Sequence, residues 1–182
     1  TEIDQIEKID NLYHRGKENG LKGLKKVNQD AIKDYEPNAI GLKALHVPET
    51  GIVDYLMVCR QLVKIIKENN KVYYKSKVLD IFESKNSIIV STQKQEYKTK
   101  FLINCCGLFS DKIAKLSGLK RECRIVPFRG EYFKLRKSAN SLVKNLIYPL
   151  PDEKYPFLGT HFTRDINGGI EVGPNAVLAW AR

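Results

Sequence analysis

An apolar triplet, Phe101-Leu102-Ile103, runs straight into Asn104-Cys105-Cys106-Gly107, and a helical pattern opens at Ser110. This order constrains the fold more than any other stretch of the chain. It reads as a buried strand that ends in a glycine turn and hands over to a helix. Small residues at such a junction let a ligand come close to the backbone. The helix that follows aims its first N–H groups at the same place.

The surrounding pattern fits a mixed α/β protein. From Asp54 to Asn69, Val58, Leu62, Ile65 and Ile66 fall on one helical face, with Lys64, Lys67 and Glu68 on the other. Short strand-like runs follow at Lys71–Lys75, Val78–Glu83, Ser87–Thr92 and Tyr97, with Asn86 marking a turn. After the apolar strand Phe101–Asn104, a helix over Ser110–Ser117 is predicted, capped by Ser110 and stopped by Gly118. A helix, a crossover and an apolar strand in this order suit the edge of a parallel sheet.

Before this region, Ile3, Ile6, Ile9, Leu12 and Tyr13 recur at helical spacing up to a stop at Gly20. A short helix is predicted over Gln29–Tyr35, capped by Asn28 and ended by Pro37, and Leu42 to Pro48 reads as extended. After it, helical periodicity disappears. Arg124–Leu135, Leu146–Leu150, Phe157–Arg164 and Gly169–Gly173 are strand candidates, and Asp165-Ile166-Asn167-Gly168-Gly169 is a hairpin signal through its Asn-Gly pair. This half is expected to form an antiparallel sheet.

Composition narrows the classes. No apolar run approaches the roughly 20 residues that span a bilayer, and no signal-peptide pattern opens the chain. A net charge of +10 fits a lysine-rich solvated surface first, and attraction to an anionic substrate or an acidic membrane surface second. The lysines are spread throughout, with no basic stripe interleaved with aromatics, so nucleic acid is not the expected partner. A basic, non-catalytic module for nucleic acid or membrane surfaces is the rival from another class. Cys59, Cys105, Cys106 and Cys123 make no C-x-x-C pair, so no metal site is expected; reduced, buried thiols are.

Several stretches resemble one family in order along the chain. They are 15–20, Glu36-Pro37-Asn38, 44–55, 104–111, Val126-Pro127-Phe128-Arg129-Gly130-Glu131-Tyr132, 147–151, 157–164 and 173–179. Together they resemble the L-2-hydroxyglutarate oxidases (dehydrogenases), a branch of the FAD-dependent amino-acid-oxidase (DAO) superfamily. The family opens with a strand–G-x-G-x-x-G–helix unit, which is missing here: Gly16, Gly20 and Gly23 have the wrong spacing. The chain therefore resembles an internal fragment, expected to bind FAD poorly by itself and to be inactive alone.

The resemblance implies a fold and its divisions. Part of a GR2-type FAD-binding domain, residues 54–118, is joined to an antiparallel substrate-binding domain, 119–182. Residues 1–53 form a helical and extended segment of the substrate region. It also implies oxidation of L-2-hydroxyglutarate to 2-oxoglutarate by hydride transfer to FAD. The partner is then a small 2-hydroxy dicarboxylate. The expected location is cytoplasmic, with peripheral attachment to the inner membrane through a quinone acceptor as an open extension. Another oxidase of the superfamily, acting on an amino acid, an amine or glycerol 3-phosphate, is the nearer rival.

Such a reaction needs a base, cations for the carboxylates and a held flavin. His161 is the candidate base, because an imidazole ordinarily titrates near neutral pH; Gly159, one pleat away, is expected to leave room for a ligand. Tyr148 matches tyrosines that line the substrate side of the flavin. Arg129 is a candidate carboxylate clamp, since a guanidinium offers a two-pronged donor, with Glu131 as its other possible partner. Arg164 is a second clamp candidate, although pleat alternation puts it opposite His161. His46 is placed near the mouth of the site. Cys105, Cys106 and Gly107 are the expected pyrophosphate turn, and Val78 lies where the superfamily's strand meets the adenine. Asn175 matches the family with no chemical reason visible in the sequence. Each also has a plainer reading, as core, surface or ion-pair residue.

Overall fold

The computed structural model of the protein describes residues 3–120, 124–152, 154–155 and 157–179. The chain divides into two compact units, Thr1–Tyr55 with Arg129–Val177, and Leu56–Phe128 with Leu178–Arg182. It is a mixed α/β chain with antiparallel sheets.

The first unit begins with a short 3-10 turn and helix α1, Ile6–Glu18. Gly20, at φ +82°, ends it in a conformation that glycine adopts without strain. Strands β1, Lys25–Asn28, and β2, Lys43–His46, pair antiparallel, with Lys25 opposite His46. Helix α2, Gln29–Tyr35, lies between them. The Asn28 side chain accepts a hydrogen bond from the Ala31 N–H at 3.0 Å, satisfying one of the donors left open at a helix start. Both helices pack on the ladder, and Ile9, Leu24, Val27 and Ile32 are buried there. β1 carries no strand signal of its own: Val27 is its one apolar residue, and the pairing with β2 makes the strand.

The second unit holds helix α3, Tyr55–Asn69, which begins at the division, and strands β3, Val78–Ser84, β4, Ser87–Thr92, and β5, Glu96–Thr99. The strands form an antiparallel sheet in that order, with the buried Ile81 and Val90 opposite each other. Helix α4, Ser110–Leu116, touches β3. The predicted face of α3 forms, but none of its residues is buried; Leu62, Ile65 and Ile66 are exposed.

Three local expectations fail in this unit. The strand predicted over Lys71–Lys75 does not form, and Lys75 takes a left-handed φ of 52° that no extended strand tolerates. Phe101–Asn104 has no ladder among the described residues, and Phe101 and Ile103 are more than four-fifths exposed. Apolar content gives a segment strand propensity, but a strand needs a hydrogen-bonding neighbour. The parallel edge expected here rested on that ladder. Ser110 is not a cap either: a 3-10 turn, Gly107–Phe109, runs directly into α4 and makes it the first helical residue.

The chain returns to the first unit from Arg129 to Val177, so the first and last of the following strands straddle the division. Strands β6, Phe128–Arg129, β7, Phe133–Lys134, β8, His161–Arg164, β9, Ile170–Gly173, and β10, Val177–Leu178, are short. β7, β9 and β8 form an antiparallel sheet in that spatial order, with Ile170 fully buried, and β6 pairs with β10. The long strand predicted over Arg124–Leu135 is broken at Gly130, where a Cβ would stand 2.7 Å from Pro174. Leu146–Leu150 contributes a single bridge, Ile147 to Phe162.

The β8–β9 hairpin forms at the predicted place by a different device. Gly168 has positive φ, at 82°, but Asn167 does not, so the turn is not the two-residue Asn-Gly type. The Asp165 carboxylate instead accepts from the N–H groups of Asn167, at 2.7 Å, and Gly169, at 3.0 Å. The expectation of buried thiols is also corrected: Cys59, Cys105 and Cys106 are free and exposed, and Cys123 lies outside the described residues.

Candidate functional site

Ile147 and Phe162 exchange both backbone hydrogen bonds, at 3.0 and 2.9 Å. In an antiparallel pair the next residue on one side then faces the previous residue on the other. Those residues are Tyr148 and His161, and their rings stack with centroids 4.6 Å apart and planes at 25°. His161 is 8% exposed, whereas Tyr148 remains half exposed. The structure thus brings together two candidates 13 residues apart in sequence.

The imidazole is oriented from its own loop. His161 Nδ1 lies 2.9 Å from the Gly159 carbonyl oxygen. A carbonyl oxygen only accepts, so Nδ1 donates, and the neutral ring keeps its lone pair on Nε2.

Gly159 does not leave the expected space. A Cβ there would stand 2.8 Å from Pro149 Cγ, so the proline ring occupies it. The strand predicted over Phe157–Arg164 accordingly begins only at His161. That residue faces Gly173, the last residue of β9, and Pro174 follows with no N–H to continue the ladder.

The two arginines have different surroundings. Arg164 Nη1 donates to the Val143 carbonyl at 2.6 Å and ties β8 to the segment leading to Tyr148. Arg129 Nη2 sits 2.6 Å from Glu131 Oε1, with the arginine side chain 62% exposed. Glu131 also accepts from Asn175 Nδ2 at 2.9 Å, while Asn175 Oδ1 takes the Glu131 N–H at 2.8 Å. The amide of Asn175 first and the Arg129 guanidinium second hold the Glu131 carboxyl below its ordinary range. This reciprocal pairing supplies the chemical reason for Asn175 that the sequence does not show.

His46 lies on β2 with its ring tilted over Tyr35, centroids 4.3 Å apart, and its Nδ1 is buried without a hydrogen-bond partner among the described residues. Next to Tyr35, Glu36 is 6% exposed. Its carboxylate accepts from the N–H groups of Lys144 and Asn145 and from Asn145 Nδ2. Asn38 Nδ2 holds the Leu142 carbonyl at 2.9 Å. The sequence gives no sign of these contacts: Glu36 before Pro37 reads locally as a turn residue, and Asn38 and Asn145 as ordinary loop amides.

The remaining candidates belong to the second unit. Val78 opens β3 opposite Thr92 and is half-buried. Cys105 and Cys106 are exposed, and Asn104 shapes their turn by accepting from the Cys106 N–H at 3.2 Å and donating to the Ser110 carbonyl at 2.8 Å. Gly107 has φ +52°, and nothing among the described residues stands within 4 Å of where its Cβ would be. Among the described residues, no group of three or more His, Cys, Asp or Glu side chains could hold a metal ion. No helix among them is long and apolar enough to cross a membrane.

Three comparisons relate the chain to known proteins. The family model described as FAD dependent oxidoreductase (DAO) matches residues 1–181. An L-2-hydroxyglutarate dehydrogenase of Indibacter alkaliphilus is 44% identical over 184 residues, covering all of this chain and 46% of its own length. An L-2-hydroxyglutarate dehydrogenase of Escherichia coli strain K12 is 41% identical over 180 residues, covering 98% of this chain and 42% of its own length. The crystal structure of L-proline dehydrogenase from P. horikoshii aligns over 99% of this chain and 48% of that one, with a TM-score of 0.82 at 17% identity, a likeness of fold alone. The chain thus spans about half the length of the curated relatives it matches.

Proposed function

The chain belongs to the FAD dependent oxidoreductase (DAO) family, and from that premise we propose that it forms part of an enzyme oxidising L-2-hydroxyglutarate to 2-oxoglutarate. The observation that carries the substrate is the identity of 44% and 41%, sustained end to end, with proteins named for that activity. The Tyr148–His161 stack supports the placement of the chemistry.

The Cys105-Cys106-Gly107 turn fits a dinucleotide on one physical count. Gly107 has a glycine-favouring φ of +52° and open space beside it, so a pyrophosphate can approach its backbone. In this proposal Cys105, Cys106 and Gly107 hold the pyrophosphate, and Val78 lies by the adenine. FAD, when bound, supplies the acceptor for the two electrons that leave C2 of the substrate.

The chain's own residues do the rest. His161 takes the hydroxyl proton at Nε2, because Nδ1 is committed to the Gly159 carbonyl. Tyr148 covers one face of the imidazole and limits its rotation. Arg129 binds a substrate carboxylate with the guanidinium N–H groups that Glu131 does not take. Arg164 acts from behind, through Val143; His46 borders the same region through Tyr35.

The test uses the full-length protein. Flavin absorbance bands and turnover of L-2-hydroxyglutarate, with little on glycine, proline or glycerol 3-phosphate, are the expected result. Turnover of an amine in preference to the hydroxy acid would overturn the substrate, and a colourless protein would overturn the function. Cytoplasmic location with peripheral attachment to the inner membrane at a quinone belongs to the same proposal, supported by the net charge of +10. Co-sedimentation with membranes at low salt and release at high salt tests it.

A further inference from the structure

We infer that Glu36 is a positioning residue for the Tyr148–His161 pair, acting through the 143–146 segment. The inference rests on the proposal that this pair is the reacting site.

The segment has no regular structure to set its path. It leaves a 3-10 turn, Lys137–Leu142, and enters the single bridge at Ile147. Side chains fix it from two sides. On one side the buried Glu36 carboxylate gathers the Lys144 N–H, at 3.0 and 3.1 Å to its two oxygens, the Asn145 N–H, and Asn145 Nδ2 at 2.8 Å. Asn145 Nδ2 also donates to the Tyr35 carbonyl at 3.1 Å, so the end of α2 and the segment are bound together twice. On the other side, Arg164 holds the Val143 carbonyl at 2.6 Å.

The path then runs directly to the site. Ile147 docks on Phe162, and Tyr148 is thereby set against His161. A neutral apolar side chain at position 36 would take from the part-buried Lys144 and Asn145 N–H groups the acceptor they now share, and the segment would move to pair them with water instead. Movement at Asn145 is passed to Tyr148 through Leu146 and Ile147, while His161 stays on the β8–β9 ladder. The relation between the two rings is what Glu36 controls.

The test is made in the full-length, flavin-loaded protein with Glu36→Ala, Glu36→Gln, Tyr148→Ala and His161→Asn. Small displacements at a reacting group cost up to about a hundredfold in rate. Glu36→Ala should lower kcat about tenfold or more with KM changed by less than about threefold. In the Tyr148→Ala background the same change should add less than about twofold, since the ring it places is gone. Glu36→Gln keeps an accepting oxygen and should recover most of the loss.

A second readout does not depend on turnover. The Cε1–H resonance of His161, identified by its loss in His161→Asn, feels the ring current of Tyr148. It should move to the Tyr148→Ala position in Glu36→Ala and stay near the wild-type position in Glu36→Gln. If Glu36→Ala fails to fold, Asn145→Ala removes part of the same clamp and should shift the resonance in the same direction. A resonance unmoved in Glu36→Ala, or in Asn145→Ala where that variant replaces it, overturns the inference, as does a Glu36→Ala loss that multiplies in full onto Tyr148→Ala. Wild-type turnover in His161→Asn and Tyr148→Ala overturns the site proposal instead, and the resonance shift still decides the positioning.

Discussion

Tyr148 lies face to face with His161 because the Ile147–Phe162 bridge sets them opposite each other on neighbouring segments. The stack covers one imidazole face, and the Gly159 carbonyl holds Nδ1. A general base contributes about 10²- to 10⁴-fold. Replacing His161 with Asn in the full-length enzyme should therefore lower kcat by about 10²-fold or more. Tyr148→Phe, which keeps the ring, should cost less than Tyr148→Ala. Steady-state kinetics on the hydroxy acid checks the order; equal losses for Phe and Ala would assign the role to the hydroxyl instead.

Gly173 makes a sharper steric demand than its place at a strand end suggests. A Cβ there would stand 2.7 Å from the Glu131 carbonyl oxygen and equally close to the Tyr132 ring. Backbone cannot move aside as a flexible side chain can, so Gly173→Ala should destabilise by about 1–3 kcal/mol. Gly51, with no atom of the described residues within 4 Å of its Cβ position, is the control. Gly51→Ala should stay within about 0.5 kcal/mol of wild type. Thermal melts of the two variants decide it.

What the sequence makes legible is local, and what it hides is pairwise. Helix α1 is readable from its period and its Gly20 stop, α2 from its Asn28 cap and Pro37 end, and α3 from its period alone: Asn28 caps as predicted, and Gly20 ends α1 as predicted. β1 is not readable, because Lys25, Lys26 and Asn28 flank a single valine and only β2 makes the strand. Phe101-Leu102-Ile103 shows the converse: its apolar content is plain, but a ladder requires a partner, and none lies among the described residues. His161 and Tyr148 stand out singly as residue types, yet their stacking depends on the pairing of their neighbours Phe162 and Ile147, which no local pattern shows. Glu36 shows in sequence only as part of a resembling stretch, and its role stays hidden because it lies in donors from residues 144 and 145.

The hairpin carboxylate predicts a pH dependence. Backbone hydrogen bonds from Gly169 first and Asn167 second, and then Lys134, hold the Asp165 carboxyl below its ordinary value of 3.8. A lowered folded pKa means that the unfolded chain binds the proton more readily. The stabilisation is thus complete above that ordinary value and is lost as pH falls through the lower folded one. Asp165→Asn removes the charge and should lower the melting temperature at neutral pH. The gap to wild type should close as the pH is taken below 3.8. A gap that stays constant with pH would show that the side chain acts by shape alone.

Arg129 offers the clearest separation between binding and chemistry. Its guanidinium is mostly exposed and gives Nη2 to Glu131, whose position Asn175 fixes. A guanidinium carries five donors in a planar fork, so this pairing leaves others for a substrate carboxylate. Arg129→Lys keeps the charge but loses the fork. If Arg129 binds substrate equally in the ground and transition states, KM for L-2-hydroxyglutarate should rise about tenfold with kcat within about twofold. Asn175→Ala loosens Glu131 without touching the guanidinium, so it should raise KM by less. An unchanged KM in Arg129→Lys would assign the arginine to the Glu131 ion pair and leave the substrate carboxylates to other cations.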